Sequence, residues 1–301
     1  MATGFPFQRE YVVVVVTTLL WGTLHPLGKI VLQDVDPAHL ALCRSALSFL
    51  ALTALCLLVD GASSLRRVMR QWRLAAVLGV LGFCLASYLT MASLALLPAG
   101  VNSVLSNTSP IFVALVAMLS LRQRAVGRLL PGVLLAFVGV VVLALHNQPL
   151  EGLAVNLLGV LLALTGSLSW ALYTLGGRRL LKEGDPIAAT AVAAMFGGVP
   201  LAILTAVGAG FEPLLSAPPT TQLLLVFIGV VATAMTYSGW YYGVRHLGAA
   251  RLAVFQYLIP LAGLLNAFVL LGEPLTPPVL GGAALILAGV WWAQRAGPTT
   301  A

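Results

Sequence analysis

The chain alternates long apolar runs with short polar interruptions, and this alternation predicts its elements. Runs broken by charge, Pro or Gly clusters predict helical spans at 11–32, 38–59, 73–95, 100–121 and 126–146, then at 153–177, 187–209, 220–244, 248–271 and 277–295. Each offers the roughly 20 apolar residues that an α-helix needs to cross a bilayer. The longest interruptions, around Asp60–Trp72 and Gly210–Pro219, are about a dozen residues each, too short for an extramembrane domain. The pattern therefore predicts an all-α integral membrane protein of ten transmembrane helices.

The pattern is also written twice. Leu20–Pro37, LWGTLHPLGKIVLQDVDP, returns as Ser169–Pro186, SWALYTLGGRRLLKEGDP. Trp21 recurs as Trp170, Gly28 as Gly177, Leu32 as Leu181, Asp36 as Asp185 and Pro37 as Pro186, all at an offset of 149 residues. Further on the offset is 150: Pro110 matches Pro260, Leu121 matches Leu271, and Gly132 and Gly139 match Gly282 and Gly289. This is an internal duplication, with 1–150 and 151–301 as its two units of five spans. An odd number of spans makes the second unit cross the membrane in the opposite sense.

Charge supports that inversion. Lys and Arg collect in short cytoplasmic loops, and fourteen of the sixteen here fall on one predicted side, including Arg66, Arg67, Arg70, Arg73, Arg122, Arg124, Arg128, Arg178, Arg179, Lys182, Arg245 and Arg251, with Arg9 and Arg295 near the termini. The opposite loops carry Asp34, Asp36, Glu151, Glu212 and Glu273. Both termini are predicted cytoplasmic. Equivalent positions change charge with side: Arg122 and Arg124 end the fourth span, whereas Gly272 and Glu273 end the ninth. Inverted repeats can exchange conformations and open a central site to either side, which is alternating access. The alternative is a duplication that only enlarged a bundle.

Composition excludes other classes. Hydrophobic residues make up 60% and charged residues 8% of the chain, and mean hydropathy is +1.01, against about a quarter charged in soluble domains. The net charge of +7 is accounted for by cytoplasmic loops and implies no nucleic-acid partner. Cys43, Cys56 and Cys84 lie inside apolar runs with neither metal spacing nor an even count. Arg9 followed by the run Tyr11–Leu20 resembles a signal peptide, but no small-residue cleavage site follows and the repeat begins inside the same run, so a retained first helix is expected. There is no P-loop, HExxH or GxSxG. No cofactor, metal or enzymatic activity is expected.

At this point a family resemblance emerges. Trp21-Gly22, a basic residue at Lys29, Asp36-Pro37 and then Arg44 resemble the opening of EamA-type proteins of the drug/metabolite transporter superfamily. Pro110, Pro260 and the ExL pattern at Glu273–Leu275 fit the same family, and the resemblance covers nearly the whole chain. Arg122 and Gln123 depart from it, standing where the first repeat would carry an acidic residue. Length and aromatic-rich central positions are most similar to YddG-type exporters of aromatic and other neutral amino acids. The resemblance implies a five-plus-five helical plan, a small-molecule substrate and a bacterial inner membrane.

Polar groups inside the spans are the functional candidates, because they are costly there. His25 stands one turn past Trp21 and just before Pro26, whose ring removes a backbone hydrogen bond; such breaks are tolerated beside protein or a watery cavity. His25 and Trp21 are expected on the central path, the alternative being a histidine satisfied by a neighbouring helix. Trp170 and Tyr173 occupy the equivalent part of the sixth span. Ser87 and Tyr88 match Tyr237 and Ser238, and Trp240 and Tyr241 extend that cluster; aromatic groups with a polar edge suit a cavity that holds an apolar side chain, and equally suit core packing. Asn102, Ser103, Ser106 and Asn107 precede the helix break at Pro110, and Gln256 and Tyr257 precede the break at Pro260. These uncharged groups are candidates for a zwitterion's ends or for interhelical hydrogen bonds. Lys29 and Arg44 are read near the outer ends of their spans, either snorkelling or making a gating or structural contact with Asp34 or Asp36. With no carboxylate in mid-span, the expectation is export of neutral metabolites, amino acids foremost, down the substrate's own gradient. A broader metabolite or drug exporter and a membrane assembly protein are the alternatives.

Overall fold

The structure is a computed structural model and describes residues 9–121, 126–145, 153–180, 185–247, 255 and 258–296. Among the described residues every regular element is a helix. The first predicted span is two helices, α1 (Arg9–Gly22) and α2 (Leu24–Val31), with a turn at Thr23. Pro26 explains the break, since it has no N–H to give the Gly22 carbonyl. It sits in the first turn of α2, where N–H groups have no intrahelical partner anyway, and the Thr23 hydroxyl donates to the Leu20 carbonyl at 2.7 Å.

Then follow α3 (Pro37–Val59), the short amphipathic α4 (Ala62–Met69), α5 (Trp72–Gly79) and α6 (Ala86–Leu96), the last two joined by a π-helical segment, Val80–Leu85. The fourth predicted span is again two helices, α7 (Ala99–Ser106) and α8 (Ser109–Leu121), broken at Asn107-Thr108 with Pro110 in the first turn of α8. α9 (Val126–Leu145) closes the first half.

The second half runs α10 (Leu153–Leu180), α11 (Pro186–Val207), α12 (Glu212–Ser216), α13 (Pro219–Val226), a π-helical segment Phe227–Met235, α14 (Thr236–Leu247), α15 (Leu258–Leu271) and α16 (Pro277–Ala296). The repeated Asp-Pro pairs start a helix in each half, but only the second carboxylate caps its helix, since Asp36 makes no side-chain cap hydrogen bond. Asp36 and Asp185 are N-cap residues followed by Pro at the first helical position, and the Asp185 carboxylate accepts from Ile187 N at 3.0 Å. The two π segments also occupy equivalent places, under the 150-residue offset. Of the loop residues used to assign orientation, Arg122, Arg124, Glu151, Lys182 and Arg251 lie outside the described residues, as do the side chains of Arg128, Arg178, Arg245 and Arg295.

Among the described residues six helical stretches are long and apolar enough to cross a membrane: Arg9–Val31, Pro37–Val59, Trp72–Leu96, Asn156–Gly177, Pro186–Val207 and Pro219–Trp240. Their distribution of polarity is that of a membrane bundle. Leu50, Leu57 and Leu58 of α3 and Val199, Ile203 and Val207 of α11 are exposed, whereas Ser45, Ser48, Ser93, Asn102 and Thr233 are buried. The buried hydroxyls spend their hydrogen bonds between helices: Ser48 Oγ donates to Gly229 O at 3.0 Å and Ser93 Oγ to Gly159 O at 2.7 Å.

Packing pairs one half with the other. α3 lies against α11, α7 against α15, α9 against α16, α1 against α14 and α6 against α10. The α9–α16 contact is made at the mirrored glycines. A Cβ on Gly139 would stand 2.6 Å from Gly282 O, and one on Gly289 would stand 2.5 Å from Gly132 O. The crossed pairing, 139 with 282 and 132 with 289, means that α9 and α16 run antiparallel with their backbones in contact.

Candidate functional site

A half-open cavity lies between the halves, lined from α1 and α2 (Trp21, Leu24, His25), α3 (Arg44), the first π segment and α6 (Gly82, Ala86, Ser87, Thr90), the α7–α8 break (Ser106, Asn107, Ser109), α10 (Gly166, Ser167, Trp170), α14 (Tyr237) and α15 (Ile259). The two helix breaks therefore open onto one space. Unwound backbone is tolerated at membrane depth where it borders such a cavity.

Its aromatic wall is built across the repeat. Trp21 and Trp170, equivalent by the 149-residue offset, meet edge to face at 5.7 Å between ring centroids and 80°. Tyr237 lies 5.3 Å from Trp21 and 5.0 Å from Trp170, and Trp240 lies 5.9 Å from Trp21. Tyr173 stands behind this wall, buried, 5.1 Å from Trp170 and 6.1 Å from Phe83. Edge-to-face and tilted arrangements of this kind match the positive rim of one ring to the negative face of the next.

The polar part is drawn from both halves too. His25 is 3% exposed, lines the cavity, and has no hydrogen-bond partner on either ring nitrogen among the described residues. Ser106 Oγ reaches Asn102 Oδ1 at 3.5 Å, and Asn107 Nδ2 donates to Ser103 O at 2.7 Å. Arg44 is the largest departure from the sequence reading. It stands about 10 Å along α3 from Pro37 at 1.5 Å per residue, is 4% exposed, and contacts neither Asp34 nor Asp36. Instead its Nη1 donates to Ser87 Oγ at 3.0 Å and its Nε to Thr233 Oγ1 at 3.2 Å. Asp34 accepts from the Thr221 hydroxyl, and Asp36 faces His39 at 3.8 Å.

Lys29 likewise leaves the aspartates. Its ammonium donates to the carbonyls of Leu94 (2.7 Å), Leu97 (2.9 Å) and Ala95 (3.3 Å), closing the C-terminus of α6. Across the same turn Glu273 accepts from Ala99 N at 2.6 Å and Gly100 N at 2.9 Å, capping α7. Neither partner was legible in the sequence.

Other expected site residues lie elsewhere. Tyr88 packs with Ala41, Leu42 and Leu201 between α3 and α11. Asn102 is fully buried and donates to Ser93 Oγ at 2.7 Å, an interhelical tie. Gln256 and Tyr257, and the side chain of Tyr241, lie outside the described residues. Thr90, Ser109, Ser167 and Thr233 were not singled out from the sequence, where nothing separates them from the many other hydroxyls of the spans. Among the described residues no three His, Cys, Asp or Glu side chains cluster as metal ligands would.

The sequence model of the EamA-like transporter family matches this chain twice, over residues 8–145 and 157–294. The chain belongs to the EamA-like transporter family. It is similar to an "Uncharacterized transporter" of Archaeoglobus fulgidus, 27% identical over 293 residues that cover 96% of this chain and 99% of the relative. It is also similar to a "Probable terminal-alkyne amino-acid exporter" of Streptantibioticus cattleyicolor, 28% identical over 283 residues, covering 93% and 92%. A solved structure described only as "Crystal structure of protein" shares the fold, with a TM-score of 0.65 at 21% identity over 94% of this chain and 96% of that one. This EamA-like protein is thus an integral membrane transporter by family, built from two EamA repeats.

Proposed function

We propose that this EamA-like protein exports small neutral metabolites, with amino acids bearing apolar or aromatic side chains as the principal substrates. The ligand binds in the central cavity between two inverted five-helix repeats, which alternate access to the two sides of an inner membrane with both termini cytoplasmic. The observation that carries this reading is the meeting of Trp21 and Trp170 at one cavity. Residues equivalent in sequence meet across the repeat, as a site shared by two interchangeable halves requires. The antiparallel crossing of α9 and α16 at mirrored glycines supports the inversion, and the amino-acid exporter among its relatives supports the substrate class.

The walls suit such a substrate. Aromatic faces take an apolar side chain, and Ser87, Ser106, Asn107 and His25 offer hydrogen bonds in the same space. No carboxylate lines the cavity among the described residues, so the substrate's own gradient is the driving force proposed here.

Counterflow in proteoliposomes tests the reading. Vesicles loaded with unlabelled phenylalanine, methionine or threonine should accumulate the labelled compound saturably, and Trp21→Ala and Trp170→Ala should abolish this. Stereoselective uptake separates an amino-acid exporter from a broader metabolite exporter. No flux above empty vesicles for any amino acid, from folded protein, would refute the substrate class.

A further inference from the structure

We infer that Arg44 is the recognition group for a carboxylate, and that the cavity selects small monocarboxylates carrying an apolar or aromatic side chain, amino acids included. This rests on the central cavity being the substrate site, and it replaces the uncharged zwitterion site expected from the sequence with one that carries a fixed positive charge.

The inference starts from an electrostatic imbalance. A guanidinium buried to 4% exposure at membrane depth hydrogen-bonds to two neutral hydroxyls, Ser87 and Thr233, with the Tyr237 phenol as a further polar neighbour, and has no carboxylate partner among the described residues. Burying a charge without a counter-charge is expensive, and buried charges in proteins are ordinarily paired. Two hydroxyls orient the guanidinium and offset part of that cost, but a hydroxyl neutralises nothing. Of its five N–H donors, those on Nη2 have no partner among the described residues, and Arg44 lines the cavity. The planar fork is therefore held from one side and open on the other.

The chemistry of the opening then decides the ligand. Arginine presents two parallel donors that match the oxygens of a carboxylate, and such charge-assisted pairs are about twice as strong as neutral ones. The Trp21, Trp170 and Tyr237 rings bound the same space, so a ligand whose carboxylate meets Arg44 has aromatic surface available to its side chain. The Asn107 side chain, whose Nδ2 donates to Ser103 O, leaves its Oδ1 as one acceptor for an amino group in the same space. Arg44 also bridges the halves, contacting Ser87 of the first repeat and Thr233 of the second, so a ligand neutralising it sits where the two units meet.

The test uses the full-length protein in nanodiscs and three probes: phenylalanine, 3-phenylpropionate and 3-phenylpropanamide. The last two share one side chain and differ only in the charge of the head group. Binding is read from tryptophan fluorescence. The wild type is expected to bind the acid at least roughly tenfold more tightly than the amide, the size of one charge-assisted contact. In Arg44→Gln that preference disappears while the amide still binds, which also reports a folded cavity. Thr233→Val, which keeps the charge and removes one orienting hydroxyl, should weaken the acid several-fold and leave the amide unchanged. Equal binding of acid and amide by the wild type, a preference that survives Arg44→Gln, or equal weakening of both in Thr233→Val overturns the inference. Phenylalanine counterflow without binding of either phenylpropanoid overturns it while leaving the transporter reading intact. Loss of counterflow as well removes both.

Discussion

Glu273 offers the sharpest test of how the halves are tied together. Its two carboxylate oxygens accept from Ala99 N at 2.6 Å and Gly100 N at 2.9 Å, the first two N–H groups of α7, at a helix start where Pro98 supplies no side-chain cap. Losing a cap costs about 1–2 kcal/mol, and a negative charge at a helix N-terminus adds about 0.3–1 kcal/mol. With partial exposure screening the charge, Glu273→Ala should cost about 2 kcal/mol. Glu273→Gln keeps one acceptor and loses the charge, so about 1 kcal/mol is expected. Glu273→Asp, one methylene shorter, cannot reach both N–H groups and should resemble the alanine variant. Unfolding by SDS from mixed micelles, followed by circular dichroism, measures these differences. Lys29→Met sharpens the test, because Lys29 closes α6 on the other side of the same turn. A double-mutant cycle should give a coupling of about 0.5–1 kcal/mol, as for residues that share a structural element. Aspartate and alanine variants as stable as the wild type, or strict additivity with Lys29→Met, would refute the proposed brace.

Three further outcomes are expected. Gly139→Val and Gly289→Val should each destabilise the protein by about 1–3 kcal/mol, the usual cost of overpacking, because the added carbons collide with Gly282 O and Gly132 O; Gly281→Ala, with nothing within 4 Å of its new Cβ, is the matched control in the same SDS titration. Trp21→Ala should lose counterflow while Trp21→Phe keeps part of it, since a smaller ring can still touch Trp170 and Tyr237. His39→Ala removes the 2.7 Å contact with Gly210 O and should cost about 1 kcal/mol, read as faster proteolysis of the loop between α11 and α12.

Much of the architecture was legible because a bilayer leaves the backbone few choices. Every N–H and C=O must be satisfied within its own segment, so apolar runs of sufficient length become helices. Two of the prolines then mark where helices break: Pro26 and Pro110 each sit in the first turn after a break, whereas Pro131 and Pro200 lie inside continuous helices. The Asp-Pro starts were legible for a similar reason, because Pro at the first helical position is local chemistry, and the mirrored glycines were legible as part of the repeat, though their contact is made between distant helices.

Which face of each helix meets the cavity was a tertiary decision. Spans that are apolar on most sides carry no periodicity to read, and neighbouring residues on an α-helix point about 100° apart. Hence Ser87 lines the cavity while Tyr88 packs toward α11. The π-helical segments 80–85 and 227–235 alter that phase again, and each carries a group of the site, Gly82 or Thr233. Long-range partners were hidden altogether. Arg44 meets Thr233 across 189 residues of chain and Ala99 meets Glu273 across 174. Sequence alone thus determined that the chain is a duplicated bundle of membrane helices, because hydrophobicity and backbone satisfaction are local. Only the packed structure decided where the cavity-lining Arg44 finds its partners, because that depends on which helices lie beside it.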